Sequence, residues 1–85
     1  MLYRLCTENL NRKKIEKIVS SYFDGFTLFS AIGYWQNYKE NSLIIEISSG
    51  NNEYDKIKEI AKKIKKINDQ DSVLIQELQQ NQTFI

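Results

Sequence analysis

The chain has 85 residues, with 12 Lys plus Arg against 11 Asp plus Glu, no His, no Pro and one Cys. Its length predicts one small domain over residues 1–85, and its formal charge of +1 excludes a global field that would attract nucleic acid or an anionic membrane. Without His, the chain cannot build a Ser-His-Asp or Cys-His catalytic arrangement, and Cys6 alone cannot form a zinc site. We therefore expect no metal and no cofactor.

The single cysteine also bears on location. One Cys cannot form an internal disulfide, which favours a reducing cytoplasm, and Cys6 is expected to be a small buried hydrophobe rather than a nucleophile. No apolar run approaches the ~18 residues that would suggest a membrane-spanning helix, and no charged segment precedes an apolar one as in a secretory signal. A soluble, unprocessed protein without membrane contact is expected.

The first third of the sequence predicts a strand followed by a helix. Met1–Cys6 is short, apolar and aromatic, as in a buried strand, and Asn11 is a suitable N-cap for a helix over about Arg12–Phe23. Gly25 is predicted to end this helix in the left-handed conformation. The apolar positions of the helix have the spacing of one buried stripe: Ile15, Ile18, Val19, Tyr22 and Phe23.

A β-hairpin is predicted next. Phe26–Tyr38 is rich in aromatic and β-branched residues, which indicates a long strand. The polar run Lys39–Ser42 is predicted to be the turn, and Leu43–Ser49 the returning, antiparallel strand.

A second helix and a last strand complete the chain. Asn52 is predicted to cap a helix that begins at Glu53 and ends near Ile67. Ser72–Leu78 is predicted to be the final strand, with a short polar tail from about Gln79. The apolar positions of the helix again form one stripe: Ile57, Ile60, Ala61, Ile64 and Ile67.

The resulting β-α-β-β-α-β order predicts an α+β, ferredoxin-like fold, with a four-stranded antiparallel sheet and both helices on one face. The second strand has apolar residues on both of its faces. Because the helices cover only one face of the sheet, the apolar residues on the other face are expected to be exposed to solvent and to mark an interface. One alternation contains Phe26, Leu28, Ile32 and Tyr34, and the other contains Phe29, Ala31 and Trp35, joined by whichever of Tyr3, Ile44 and Leu74 share its side. Alternatively, the twist of the sheet places most of these aromatic residues under the C-terminal tail, where they are buried.

Residues Gly33 to Ile67 resemble a known family in the order of their features. The segment consists of Gly-Tyr-Trp, a short polar turn with Glu40, the strand Leu43–Ile47, and Asn-Glu-Tyr-Asp at the start of a Lys-rich helix. This order is similar to that of the CutA and PII-like group of small trimeric proteins. The chain also resembles an uncharacterised family of short bacterial proteins that begin with Tyr-Arg-Leu, as residues 3–5 do here. The resemblance implies trimers whose sheets pack edge to edge. The hairpin here is too short to be the PII nucleotide loop. Of the His and Cys ascribed to copper binding in CutA, His is absent and Cys6 is the one Cys, so neither ligand is carried over.

Three groups of residues are candidate sites. Aromatic residues that could anchor an interface are Phe29, Tyr34, Trp35 and Tyr38, unless they pack in the core. A loop between a strand and a helix could hold an anion on its backbone amides, and it contains Ser48, Ser49, Gly50, Asn51 and Asn52. This loop lacks the Lys and the glycine spacing of a P-loop. The alternative is that it is an ordinary capping turn. Lysines that could contact phosphates are Lys58, Lys62, Lys65 and Lys66, unless they form only a solvated face.

The sequence predicts a small non-enzymatic protein, because no carboxylate pair has a spacing suited to acid-base work. We expect a homo-oligomer, dimeric or trimeric, that binds a protein partner or a small ligand at a subunit junction. An alternative is an inhibitor of a host protein or nucleotide signal, encoded by a phage or mobile element. A weaker alternative is binding to the nucleic-acid backbone through the second helix, and nucleic acid is not the expected partner.

Overall fold

A computed structural model describes residues 1–79, 83 and 85, and the predicted ferredoxin-like fold is confirmed. The predicted tail falls largely outside these residues, since 80–82 and 84 are not described. The elements in chain order are β1 (Leu2–Glu8), α1 (Arg12–Ser20), β2 (Thr27–Trp35), β3 (Tyr38–Ser48), α2 (Tyr54–Asn68) and β4 (Leu74–Leu78).

The four strands form one antiparallel sheet in the order β2-β3-β1-β4, so β2 and β4 are its edges. Alternate residues of the two central strands face the helices and are buried with the apolar stripes of α1 and α2. The core consists of Tyr3, Leu5, Ile15, Val19, Leu43, Ile45, Ile47, Ile57, Ile60, Ala61 and Ile64.

The hairpin turn differs from the prediction. The two strands are joined by only Gln36 and Asn37, which have φ of 48° and 70°, as in the two-residue turns whose twist matches a hairpin. The predicted turn, Lys39–Ser42, instead lies inside β3 and pairs with β2. Tyr38, predicted to end the second strand, is the first residue of β3.

Helix α1 begins after Asn11, which occupies the predicted N-cap position, but the helix is shorter than predicted. The helix ends at Ser20, and Gly25 has no positive φ, so the left-handed glycine stop is wrong. Asn11 does precede the helix, but with φ of 56° and without a side-chain bond to it. The Asn11 Nδ2 donates instead to Asn68 Oδ1 at 3.0 Å, which ties the start of α1 to the end of α2.

Helix α2 ends in a left-handed turn at Asp69, where φ is 49°. The N–H of Gln70 donates to the Lys65 carbonyl at 3.2 Å and the N–H of Asp69 to the Lys66 carbonyl at 3.3 Å. This pair of bonds is the Schellman motif, which satisfies carbonyls that the helix leaves open. The buried Asn68 then donates to Gln70 Oε1 at 2.9 Å, which fixes the chain that enters β4.

Two strand boundaries also differ from the prediction. The first strand extends two residues past the predicted Cys6, because Thr7 and Glu8 pair with Leu43 and Ser42. The last strand begins at Leu74 instead of Ser72. Of the two edge strands, β2 is the longer, with nine residues against five in β4.

Candidate functional site

In the part of the chain that the structure describes, both helices pack on one face of the sheet, and we call the other face the open face. A row of four apolar side chains crosses this face between the two edge strands, because the strand register places each beside the next. From β2 to β4 this open-face row contains Phe29, Ile44, Cys6 and Leu74. Phe29 and Leu74 are exposed, whereas Ile44 and Cys6 are half-buried. Cys6 was predicted to be buried but is only half-buried. Tyr3, which the sequence left as a possible member of this face, lies on the helix side.

Polar residues border the open-face row. On one side, Arg4 Nη2 lies 2.7 Å from Glu46 Oε2, and Arg4 Nε donates to the same oxygen at 2.8 Å. On the other side, Glu8 pairs with Ser42, which pairs with Ala31. An apolar centre with a polar rim is the usual anatomy of a protein interface.

The β2–β3 hairpin reaches beyond the rest of the sheet. The β1 strand pairs with β3 only from Ser42 onward, so residues 38–41 of β3 have β2 as their only partner strand in the described sheet. We call residues 32–41 the arm. The arm has exposed side chains on both faces, Tyr34 at 72% on the helix side and Tyr38 at 77% on the open face. A two-stranded ribbon is marginally stable in water by itself, so the arm gains from any surface that covers it.

The four predicted interface residues do not form one cluster. Phe29 and Tyr38 belong to the open-face alternation, whereas Tyr34 belongs to the helix-side alternation. Trp35 pairs with Tyr38 along the backbone, and its side chain lies outside the described part of the structure. The backbone positions of Phe29 and Trp35 are six residues apart, about 20 Å along a strand, so the four positions are spread along the hairpin.

The loop of Ser48 to Asn52 borders an open groove of about 690 Å³ at the start of α2. The residues lining it are Met1, Gly50, Asn51, Asn52, Tyr54, Glu77 and Gln79. Ser48, the last residue of β3, and Ser49 are not among the described lining residues, although the Ser49 Oγ accepts from the Asn51 N–H at 3.2 Å. The groove therefore brings together most of the residues predicted to bind an anion.

The first amides of α2 already have partners, however. The Glu53 N–H donates to the buried Tyr3 hydroxyl at 2.9 Å, and the Tyr54 N–H donates to Asn52 Oδ1 at 3.1 Å. Glu53, not the predicted Asn52, occupies the N-cap position. These bonds, together with the Glu77 carboxylate in the lining, favour a capping turn over an anion site.

The lysines of α2 lie on the outer surface of the helix layer. All four predicted phosphate contacts are exposed: Lys58, Lys62, Lys65 and Lys66. Lys62 lies 3.6 Å from Glu59, an exposed pair that contributes little stability. Lys63 instead lies over the Tyr22 ring at 4.8 Å and Lys56 over the Phe23 ring at 5.7 Å, which joins α2 to the turn that follows α1.

Charge is divided between the two helices and the rest of the protein, a feature that the net charge hides. The two helices carry ten of the twelve basic residues but only three of the eleven acidic ones, a side-chain charge of +7. The strands and loops carry the other two basic and eight acidic residues, a charge of −6. The helix layer is therefore strongly positive, while the rest of the protein is negative.

Among residues 1–79, 83 and 85, no three His, Cys, Asp or Glu side chains come together as a metal site would require. Neither described helix has the length and apolar character needed to cross a bilayer. No protein-family model matches the chain, and no curated protein matches it. The resemblance to CutA and PII-like proteins stays a prediction.

The open-face row was only partly foreseen from the sequence. Phe29 was singled out, and Ile44 and Leu74 were considered, but their alignment with Cys6 depends on the register between strands. The signal available was alternation within each strand, which gives the face of a residue but not its neighbour on the next strand.

Proposed function

We propose that this protein is a small non-enzymatic, homo-oligomeric binding protein of the cytoplasm, in which the open face of one subunit meets another. A protein partner or a small ligand binds at the resulting junction. The observation that carries the proposal is the open-face row, four apolar side chains in line with no described element over them. Covering such residues is favourable by about 25 cal/mol per Å² of apolar surface.

The first test is the mass of the native protein. We expect light scattering at micromolar concentration to give at least twice the 10.1 kDa of one chain. A mass near 10 kDa that persists as the concentration is raised would contradict homo-oligomerisation.

A matched pair of substitutions tests the surface. Leu74 in the open-face row is 54% exposed, and Leu10, in the loop between β1 and α1, is 49% exposed. We expect Leu74→Glu to weaken assembly about tenfold or more, roughly 1.4 kcal/mol, because it places a charge in the covered row. Leu10→Glu, with a similar initial exposure, is expected to leave assembly unchanged.

Both variants are followed by sedimentation over a dilution series, with circular dichroism to check the fold. Equal weakening by Leu74→Glu and Leu10→Glu would show that general surface charge, and not the open-face row, governs assembly.

A second candidate function is binding to a nucleic-acid backbone through the helix layer. The charge of +7 on the two helices favours it, since lysines that neutralise phosphates release counterions. Here the ligand needs only a regular array of phosphates, and no base-reading side chain is required.

A salt titration with a mixed-sequence DNA duplex tests this candidate. If Lys58, Lys62, Lys65 and Lys66 each neutralise one phosphate, the log of the binding constant falls against log salt with a slope of about −3.6. Changing all four to Gln is expected to remove most of this slope, whereas Lys39→Gln, on the arm, is expected to preserve it. Binding that is insensitive to salt would contradict the candidate.

A further inference from the structure

The edge strand β2 lacks three common protections against pairing with another strand, namely charged residues of its own, proline and shortness. Its nine residues, Thr27–Trp35, include no charged residue and no proline. The opposite edge, β4, is five residues long and contains Glu77. Natural edge strands are commonly blunted by lysine, proline or shortness, and a long uncharged edge is a template for a further strand.

The hairpin determines which backbone groups of β2 face outward. In its two-residue turn the Trp35 carbonyl accepts from the Tyr38 N–H, so these two residues form a hydrogen-bonded pair. Because such pairs alternate along an antiparallel ladder, every second residue of β2 bonds to β3. The residues between them direct their N–H and C=O away from the sheet: Leu28, Ser30, Ile32 and Tyr34.

We propose that β2 pairs antiparallel with β2 of a second copy, with the two-fold axis at Ala31, to form one continuous sheet of eight strands. This inference rests on the proposed homo-oligomerisation and adds to the open-face contact a second contact, at the β2 edge of the sheet. In this register Phe29 faces Gly33 of the second copy, Ser30 faces Ile32 and Leu28 faces Tyr34. The interface is isologous, as expected for a symmetric dimer.

The register follows from the strand itself. Ala31 is the midpoint of Thr27–Trp35, so an axis there pairs all nine residues. A shift by one residue would mismatch the faces of the two sheets, and each shift that preserves the faces shortens the pairing. The outward groups of Ser30 and Ile32 then meet each other, as a hydrogen-bonded pair requires.

The side chains favour a second copy over a charged partner strand. An uncharged edge offers no counter-charge to such a partner, whereas a copy of itself places no like charges opposite one another. Gly33 presents no side chain, and an aromatic residue across from a strand glycine fills the space it leaves. Phe29 supplies that aromatic residue. The open faces of the two copies also become one surface, continuous with the open-face row.

Cysteine cross-linking in a Cys6→Ser background tests the register. At the axis, the two Ala31 residues form a non-hydrogen-bonded pair with Cα atoms about 4.5 Å apart, within the range for a disulfide. We expect Ala31→Cys to form a covalent dimer under mild oxidation. The control is Thr27→Cys, whose two copies would lie about 26 Å apart along the paired strands and should stay uncross-linked.

The outcomes separate this inference from the function beneath it. Rapid cross-linking of Ala31→Cys alone supports the two-fold register. Equal cross-linking of both variants, or none in a protein whose native mass is that of a dimer, overturns the β2 pairing but leaves homo-oligomerisation intact. A native mass of one chain, with no cross-linking, overturns both.

Discussion

Ile60→Asp is expected to unfold the domain. Ile60 has no exposed surface and lies on the stripe of α2 that packs against the sheet. Truncating a buried isoleucine costs about 2–5 kcal/mol, and a buried carboxylate without a partner adds several more. The domain as a whole is expected to have about 4–13 kcal/mol of stability, from the usual value per residue, so little or none remains.

The control introduces the same residue, aspartate, on the exposed side of the helix. Lys58 is exposed, and Lys58→Asp is expected to change the free energy of unfolding by about 1 kcal/mol or less. Ile18→Asp in α1, where Ile18 is half-buried, should fall between the two. Thermal melts followed by circular dichroism give the order, and an Ile60→Asp melting point within a degree or two of the wild type would contradict the assigned helix face.

The buried faces of both helices could be predicted because a helix repeats every 3.6 residues and its apolar positions depend only on local spacing. Ile15 and Val19 in α1 and Ile57, Ile60 and Ile64 in α2 are all buried as expected. The helix ends could not be predicted in the same way. Asn11 and Asn68 bond to each other from residues 57 apart in sequence, so a residue typical of a local cap has a long-range role.

The hairpin turn was predicted at the wrong residues because the two residues of the actual turn are atypical, while a nearby strand segment has the composition of a turn. Type I′ turns need positive φ at both central residues, for which Asn-Gly is typical, whereas this chain uses Gln36 and Asn37. The polar run Lys39–Ser42 has the composition of a turn. It is polar because it lies mostly in the arm, where the strand is exposed, and composition does not separate an exposed strand from a loop.

The division of charge shows a similar limit. The lysine arc of α2 was visible from helical spacing, but the negative charge of the remaining layer is spread over eight residues in strands and loops. That these eight residues lie in strands and loops, and not in the helices, depends on where the fold sets the helix ends. For binding, this layer would repel the same polyanion that the helix layer attracts, so any phosphate backbone is expected to approach from the helix side.

The second large effect is expected at Tyr3. This residue is fully buried, and its hydroxyl accepts the Glu53 N–H and donates to Asn52 Oδ1 at 3.4 Å. Tyr3→Ala is expected to reduce the free energy of unfolding by about 3–5 kcal/mol, the range for a buried aromatic residue. Tyr3→Phe retains the ring and should lose only about 1–2 kcal/mol, the contribution of the hydrogen bonds.

Hydrogen exchange separates the two roles of Tyr3. In Tyr3→Phe, the Glu53 amide loses its acceptor and should exchange faster than in the wild type, while the amides of central strand β1 are largely unaffected. Tyr38→Phe serves as the control, because Tyr38 is 77% exposed and its hydroxyl is expected to add little stability. If Glu53 exchange were unchanged in Tyr3→Phe, the hydroxyl would not hold the start of α2. The first amide there would then be free, and the anion interpretation of residues 48–52 would regain support over the capping turn.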